Sequence, residues 1–190
     1  MYLTSVPHLL QTLFPSAVWC SAQEPRFRLT FDDGPHPQST PKLLSTLRAK
    51  KLKATFFCLG EQLEKHPDLH HAMIDEGHLI ANHGYSHLSG WTTDYEAYIS
   101  NVERGAQLSG SNYYRPPYGR MTPRQYNHIK LQHQIVMWTS MPGDFKVKRT
   151  KEMIAQEVLR AYKGDEIIVL HDSPTCIDKA LYAIDCLEVN

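Results

Sequence analysis

The chain has 190 residues, 42% of them apolar and 21% charged, which fits one globular domain able to make its own core. Lys plus Arg balance Asp plus Glu at 20 each, so no overall field selects nucleic acid or an anionic membrane, and a neutral partner is expected. Cys20, Cys58, Cys176 and Cys186 form no Cys-x-x-Cys pair and are too sparse to staple such a chain, so they are read as unpaired, mostly buried and without a metal role.

Residues 1–25 hold no Lys or Arg, and Leu9, Leu10, Leu13, Phe14, Ala17 and Val18 recur at helical spacing with Pro15 between them. A secretory signal would have a basic start and an unbroken apolar core. The expectation is an amphipathic segment over 1–25 that packs on a domain of residues 26–190, with no integral membrane segment. The same reading places the protein in the cytoplasm or at the periphery of the cell envelope, as a monomer.

Phe27, Leu29 and Phe31 alternate with Arg28 and Thr30, the period of a strand with one buried face, and Gly34-Pro35 stops it just after Asp32 and Asp33. Thr40-Pro41 reads as a helix cap, with Leu43, Leu44 and Leu47 forming the apolar stripe of a helix to about residue 51. A buried strand over 54–59 is expected to end at Gly60, followed by a helix from Pro67 to a left-handed cap at Gly77. A strand over 78–82 leads into His83, and a helix covers 93–108. Two consecutive prolines then fix a rigid loop in Arg115-Pro116-Pro117-Tyr118-Gly119. Thr122-Pro123 caps another helix, 134–139 is a strand, 151–162 a helix, and 167–170 an apolar strand ending at His171-Asp172. This alternation predicts an α/β fold with a parallel sheet or barrel of βα units.

The chemically capable residues Asp32, Asp33, His83, His87, Asp144 and His171 all fall at or just beyond the carboxyl ends of predicted strands, or in the turn after one, where loops of such folds converge on one crevice. The spacing of His83 and His87 is that of a zinc pair, although with 11 His about 0.5 such pairs arise by chance, and His66 with His70 is read as solvated helix surface. Two His and one carboxylate make a facial set with open positions for water and a substrate oxygen. Adjacent acids permit one to bind a metal while the other takes a proton.

These residues resemble the polysaccharide deacetylases, the group that shares the NodB homology domain and forms carbohydrate esterase family 4. Five motifs over about 26–185 carry the resemblance: Thr30-Phe31-Asp32-Asp33-Gly34, His83-Gly84-Tyr85-Ser86-His87, Arg115-Pro116-Pro117-Tyr118-Gly119, Met141-Pro142-Gly143-Asp144-Phe145 and Val169-Leu170-His171. The resemblance implies Asp32 as general base, Asp33, His83 and His87 as metal ligands, and Arg115 as the group that steadies Asp32. It further implies that the Tyr118 N–H donates to the oxyanion, that His171 is the general acid and that Asp144 supports it. Pro116, Tyr118, Trp138, Phe145 and Val169 would contact substrate, Val169 lining the acetyl pocket beside Trp138. Three departures stand out: Gly84 where the family has a hydroxyl residue, Met141 where it has an acid, and the smaller Val169.

The implied fold is an irregular (β/α) barrel, expected to be incomplete at the C-terminal end because the chain stops at Asn190. The implied activity is metal-dependent hydrolysis of N-acetyl groups from N-acetylglucosamine-containing glycan, peptidoglycan or chitooligosaccharide. Zinc is the expected ion, with cobalt, manganese and nickel as alternatives. Rival readings are O-acetyl ester or small-amide hydrolysis by the same groups, and a degenerate glycan-binding module.

Overall fold

The computed structural model describes residues 11–22 and 24–188. Its strands are β1 (Leu29–Asp32), β2 (Thr55–Cys58), β3 (Leu79–Asn82), β4 (Tyr113–Tyr114), β5 (Gln134–Ile135) and β6 (Ile168–His171). The helices are α1 (Thr40–Ala49), α2 (Gly60–Lys65), α3 (Pro67–Asp75), α4 (Tyr95–Ser109), α5 (Pro123–Ile129), α6 (Lys151–Tyr162) and α7 (Ile177–Asp185). All strand pairs are parallel, in the order β5-β4-β3-β2-β1-β6. The α/β alternation read from the sequence is therefore the architecture.

Two layers of side chains explain the arrangement. Leu29, Phe31, Phe56 and Ile168 pack in one cluster with Leu43, Leu47, Met73 and Val158 of the helices. Phe27, Phe57, Ala81, Val136 and Ile167 form a separate cluster on the other side of the sheet. The expectation of a strand with one buried face is corrected here: all four β1 residues are buried, because a central parallel strand is covered on both faces. Thr30 tolerates this because its hydroxyl donates to Ile168 O at 2.7 Å.

Strands β5 and β6 are not neighbours in the sheet. On one side the gap is spanned by the N-terminal segment: Val18 N donates to Ile135 O at 2.8 Å, Met137 N to Val18 O at 2.9 Å, and Ser21 N to Asp165 O at 2.7 Å. On the other, the chain leaving β5 reaches β6, where Ser140 N donates to Ile167 O and Val169 N to Ser140 O. The barrel is thus incomplete as a regular ladder, as expected, and irregular backbone fills the opening. Phe14 and Trp19 pack on the domain, Phe14 edge-on to Tyr126 at 5.0 Å. Leu13, expected to pack, is 63% exposed, and Leu9 and Leu10 lie outside the described residues.

Two further corrections concern helices. The strand does end ahead of Gly60, but Gly60 then opens α2, a helix not expected from the sequence. That helix buries Leu63 as its one apolar anchor, too little to print a periodic stripe. Thr40 sits inside the first turn of α1 behind Ser39, and its hydroxyl serves Asp172 instead of capping. Thr122 does cap α5, with Gln125 completing a capping box. All four cysteines are free, with Cys58 and Cys176 buried. Among the described residues no helix is long and apolar enough to cross a membrane.

Candidate active site

The register of the sheet assembles the site. Asp32 is the last residue of β1, and its neighbour in β6 is His171, so the two stand side by side at adjacent strand ends. The next residue, Asp33, turns away with φ of 80°, a conformation uncommon for a residue with a side chain. Behind this turn lies Asp172, a group the sequence reading missed. Its carboxylate accepts from Ser39 Oγ and Thr40 Oγ1 at 2.5 Å each, and its N–H donates to Asp32 O at 2.8 Å, tying the acid loop to β6. Burial pushes the Asp172 carboxyl up to about 6, against the pull of those two hydroxyls.

Strand β3 delivers His83, whose Nδ1–H donates to Arg115 O at 2.8 Å. A carbonyl can only accept, so this bond fixes the tautomer and leaves the Nε2 lone pair facing the cavity. The loop to His87 is braced by amides: Asn82 Oδ1 accepts from Gly84 N at 2.7 Å, and Asn101 Oδ1 accepts from Ser86 N at 2.9 Å. Asn101 Nδ2 also donates to Ser86 O at 2.9 Å. Gly84 has φ of 85°, and a Cβ there would lie 2.5 Å from Asn101 Nδ2. The missing hydroxyl residue is therefore replaced by Asn101 from α4, which reaches the loop only because position 84 carries no side chain.

Asp33 Oδ1 lies 3.4 Å from His87 Nε2 and 3.7 Å from His83 Nε2. The three ligand atoms fall within 4.8 Å of one another, and Asp33 Oδ1 is buried without a hydrogen-bond partner among the described residues. Burial and the neighbouring His83 hold His87 below its ordinary value, favouring the neutral, ligating form. An orphaned carboxylate oxygen facing the Nε2 atoms of two imidazoles fits a divalent cation, and these residues would hold it.

Around this set stand two acid–base pairs. Arg115 Nη1 donates to Asp32 Oδ1 at 2.7 Å and to Thr30 Oγ1 at 2.7 Å, while Nε and Nη2 donate to Val136 O and Met137 O. Burial opposes ionisation of Asp32, but the charges of Arg115, His83 and His171 and the Arg115 hydrogen bond together outweigh it and hold the carboxyl below its usual value. Across the cavity, Asp144 is wholly buried; it accepts from His171 Nδ1 at 2.8 Å and from His171 N at 2.8 Å. Burial works against the imidazolium, yet the Asp144 charge and hydrogen bond prevail and raise His171 to about 10.

The cavity that these groups share measures about 520 Å³, and Pro116, Tyr118, Trp138 and Phe145 line it together with Met141, Lys146 and Arg120. Met141, standing where the family motif has an acid, leaves one wall apolar. Tyr118, at φ of 59°, sets its ring edge-on to His87 at 4.4 Å, and Phe145 packs edge-on to His171 at 5.1 Å. Val169 is the exception among the expected contacts. It is 0% exposed and absent from the cavity wall, because its strand position faces the sheet interior below the site.

Fold and site together define a (β/α)-barrel protein in which two histidines and a carboxylate that could hold a divalent cation stand between an Arg-paired aspartate and an Asp-paired histidine. The family profile described as polysaccharide deacetylase matches residues 21–136, more than half of the chain, and the chain belongs to that family. It is 33% identical over 153 residues to a peptidoglycan-N-acetylglucosamine deacetylase of Bacillus cereus, covering 77% of this chain and 55% of that protein. It is 31% identical over 154 residues to a chitooligosaccharide deacetylase of Azorhizobium caulinodans, covering 76% of this chain and 72% of that protein. Among solved structures, the Bc1960 peptidoglycan N-acetylglucosamine deacetylase in complex with a naphthyl N-hydroxybenzamide superposes with a TM-score of 0.73 at 33% identity, covering 83% of this chain and 77% of that one. The chain thus spans about half the length of the first relative and most of the second.

Proposed function

We propose that this chain hydrolyses the N-acetyl group of an N-acetylglucosamine-containing glycan of the peptidoglycan or chitooligosaccharide type, with a divalent cation held by Asp33, His83 and His87. The observation that carries the reading is the convergence on one cavity of that ligand set, the Arg115-held Asp32 and the Asp144-held His171. Zinc is the ion proposed, since two imidazoles and one carboxylate suit it, with cobalt, manganese or nickel as substitutes. Such a cation supplies Lewis acidity toward the acetyl carbonyl and makes water more acidic.

The chain's own residues divide the rest of the work. Asp32, with Oδ1 committed to Arg115, takes the proton of the attacking water on Oδ2. The Tyr118 N–H, on the rigid loop after Arg115, donates to the developing oxyanion. His171 has Nδ1 committed to Asp144 and so offers the Nε2 proton to the departing amine. Its raised pKa means that it carries this proton at neutral pH. Trp138, Phe145, Pro116 and Met141 wall the cavity and limit water around the reacting atoms.

The test is acetate release by metal-loaded protein from chitooligosaccharide, peptidoglycan and acetylated xylan, with metal content measured alongside. Release from an N-acetylated glycan supports the reading. Release from the xylan ester alone reassigns the site to ester hydrolysis, and glycan binding with bound metal but no acetate overturns turnover altogether.

A further inference from the structure

The catalytic cavity shares Tyr118, Arg120 and Trp138 with a second cavity of about 700 Å³ that the proposed chemistry does not use. Its far wall is built by the N-terminal segment, through Leu13, Phe14 and Trp19, and by Trp91, Met121 and Tyr126. Three large apolar side chains open onto it: Leu13 is 63% exposed, Trp91 65% and Tyr118 57%. A contiguous apolar surface beside a reaction centre marks a ligand groove.

Three polar groups of this wall are already spent inside the protein. Trp19 Nε1 donates to Phe14 O at 3.2 Å, Trp91 Nε1 to Met121 O at 3.3 Å, and the Tyr126 hydroxyl is bonded to Ser16 Oγ at 2.5 Å. A further sugar ring would need partners for its hydroxyls, and these groups offer none. Two cations remain. The Arg120 guanidinium lies over the rings of Trp91 at 4.8 Å and Tyr118 at 5.6 Å, and the Lys130 ammonium lies over Tyr126 at 5.1 Å. Neither forms an ion pair with a carboxylate among the described residues. An apolar trough with two unpaired cations complements an apolar chain attached through an anion.

We propose that the acetylated sugar taken by this site carries an alkyl or prenyl chain joined through phosphate, and that the chain lies in this groove with the phosphate near Arg120 and Lys130. The inference rests on the N-deacetylase reading and adds to it the class of substrate. It also gives the N-terminal segment a part in recognition, since Leu13, Phe14 and Trp19 form one side of the trough.

The experiment compares kcat/KM for acetate release from methyl and octyl β-N-acetylglucosaminide, decyl-diphospho-N-acetylglucosamine and chitotetraose, using metal-loaded full-length protein. Each buried methylene favours binding by roughly fourfold, so the octyl glycoside should exceed the methyl glycoside by at least about tenfold. The diphosphate should exceed the octyl glycoside again. Trp91→Ala and Leu13→Glu should shrink the octyl-to-methyl ratio, and Lys130→Ala should shrink the diphosphate gain alone. Binding of decyl phosphate, followed by tryptophan fluorescence, reads the groove without turnover. Octyl and methyl glycosides within about twofold of each other, with chitotetraose preferred, would overturn the inference and leave the deacetylase reading standing. Saturable decyl phosphate binding that Trp91→Ala abolishes, without acetate from any probe, would support the groove and sink the deacetylase reading.

Discussion

Arg115 Nη1 donates to Asp32 Oδ1 at 2.7 Å with both side chains shut away from solvent. The guanidinium plane also lies over the Phe57 ring at 3.9 Å and spends its other donors on Thr30 Oγ1 and two backbone carbonyls. Asp32 therefore has one oxygen fixed and one turned to the cavity. Removing the cation alone should be costly, because an uncompensated buried carboxylate remains. Arg115→Met is expected to lose about 3–5 kcal/mol in urea unfolding. Adding Asp32→Asn should restore part of that loss by removing the orphan charge, and strictly additive effects would contradict the pairing.

Metal binding and proton delivery should separate by mutation. His83→Ala or His87→Ala removes one of three ligands, so metal content and acetate release should fall together. His171→Ala should keep stoichiometric metal while kcat drops by roughly 10² to 10⁴, the usual cost of a lost general acid. Asp144→Asn should show a milder form of the same pattern, because it holds His171 through Nδ1 without touching the cavity's reacting atoms. Metal loss from His171→Ala, seen by elemental analysis, would show that the two functions are not divided as assigned.

Most of this site was legible because its groups stand where strands end, and strands of alternating or continuous apolar residues announce themselves. Asp32, Asp33, His83, Arg115, Asp144 and His171 all meet as the motif order implies. What escaped the sequence was support from elsewhere in the chain. Asn101 lies mid-helix, where an amide is unremarkable until the helix is packed against the histidine loop, and only then does the choice of Gly84 make sense. Asp172 stood in the sequence only as the polar residue after His171, with no role assigned. Its partners Ser39 and Thr40 are more than 130 residues away, beyond the reach of any local pattern. Val169 was misplaced for a different reason: it shares the His171 side of β6 but sits one pleat deeper, and motif position alone does not tell how far below the cavity a residue lies.

The His171–Asp144 pair predicts a pH window for stability. His171 has its value raised from 6.5 to about 10, so its stabilisation is fully present below pH 6.5 and is lost as pH rises toward about 10. Each unit of displacement is worth about 1.4 kcal/mol, which sets the loss across the window at a few kcal/mol. Thermal melts of metal-free protein between pH 6 and 10 should show the decline, and His171→Gln should flatten it. A wild-type profile as flat as the mutant's would mean that the buried pair is not ionic.

The N-terminal segment makes the last prediction, and its residues should not contribute equally. Val18 makes one backbone hydrogen bond to Ile135 of β5 and one to Met137 just beyond it, Ala17 is 7% exposed, Phe14 packs edge-on to Tyr126, and Trp19 anchors through its indole N–H to Phe14 O. Leu13 is 63% exposed and gains little from folding. Phe14→Ala and Trp19→Ala should therefore each destabilise by about 1.5–3 kcal/mol, the worth of burying a large apolar side chain, or somewhat less where the ring is half covered. Leu13→Ala should stay within about 0.5 kcal/mol of wild type. Deleting residues 1–20 should lower the melting temperature more than either aromatic substitution, because it also strips the edge of β5 of its hydrogen-bond partner and opens the gap toward β6. If the deletion melts as the full chain does, the segment does not hold the barrel together, and the contacts at Phe14, Val18 and Trp19 contribute nothing measurable to the fold.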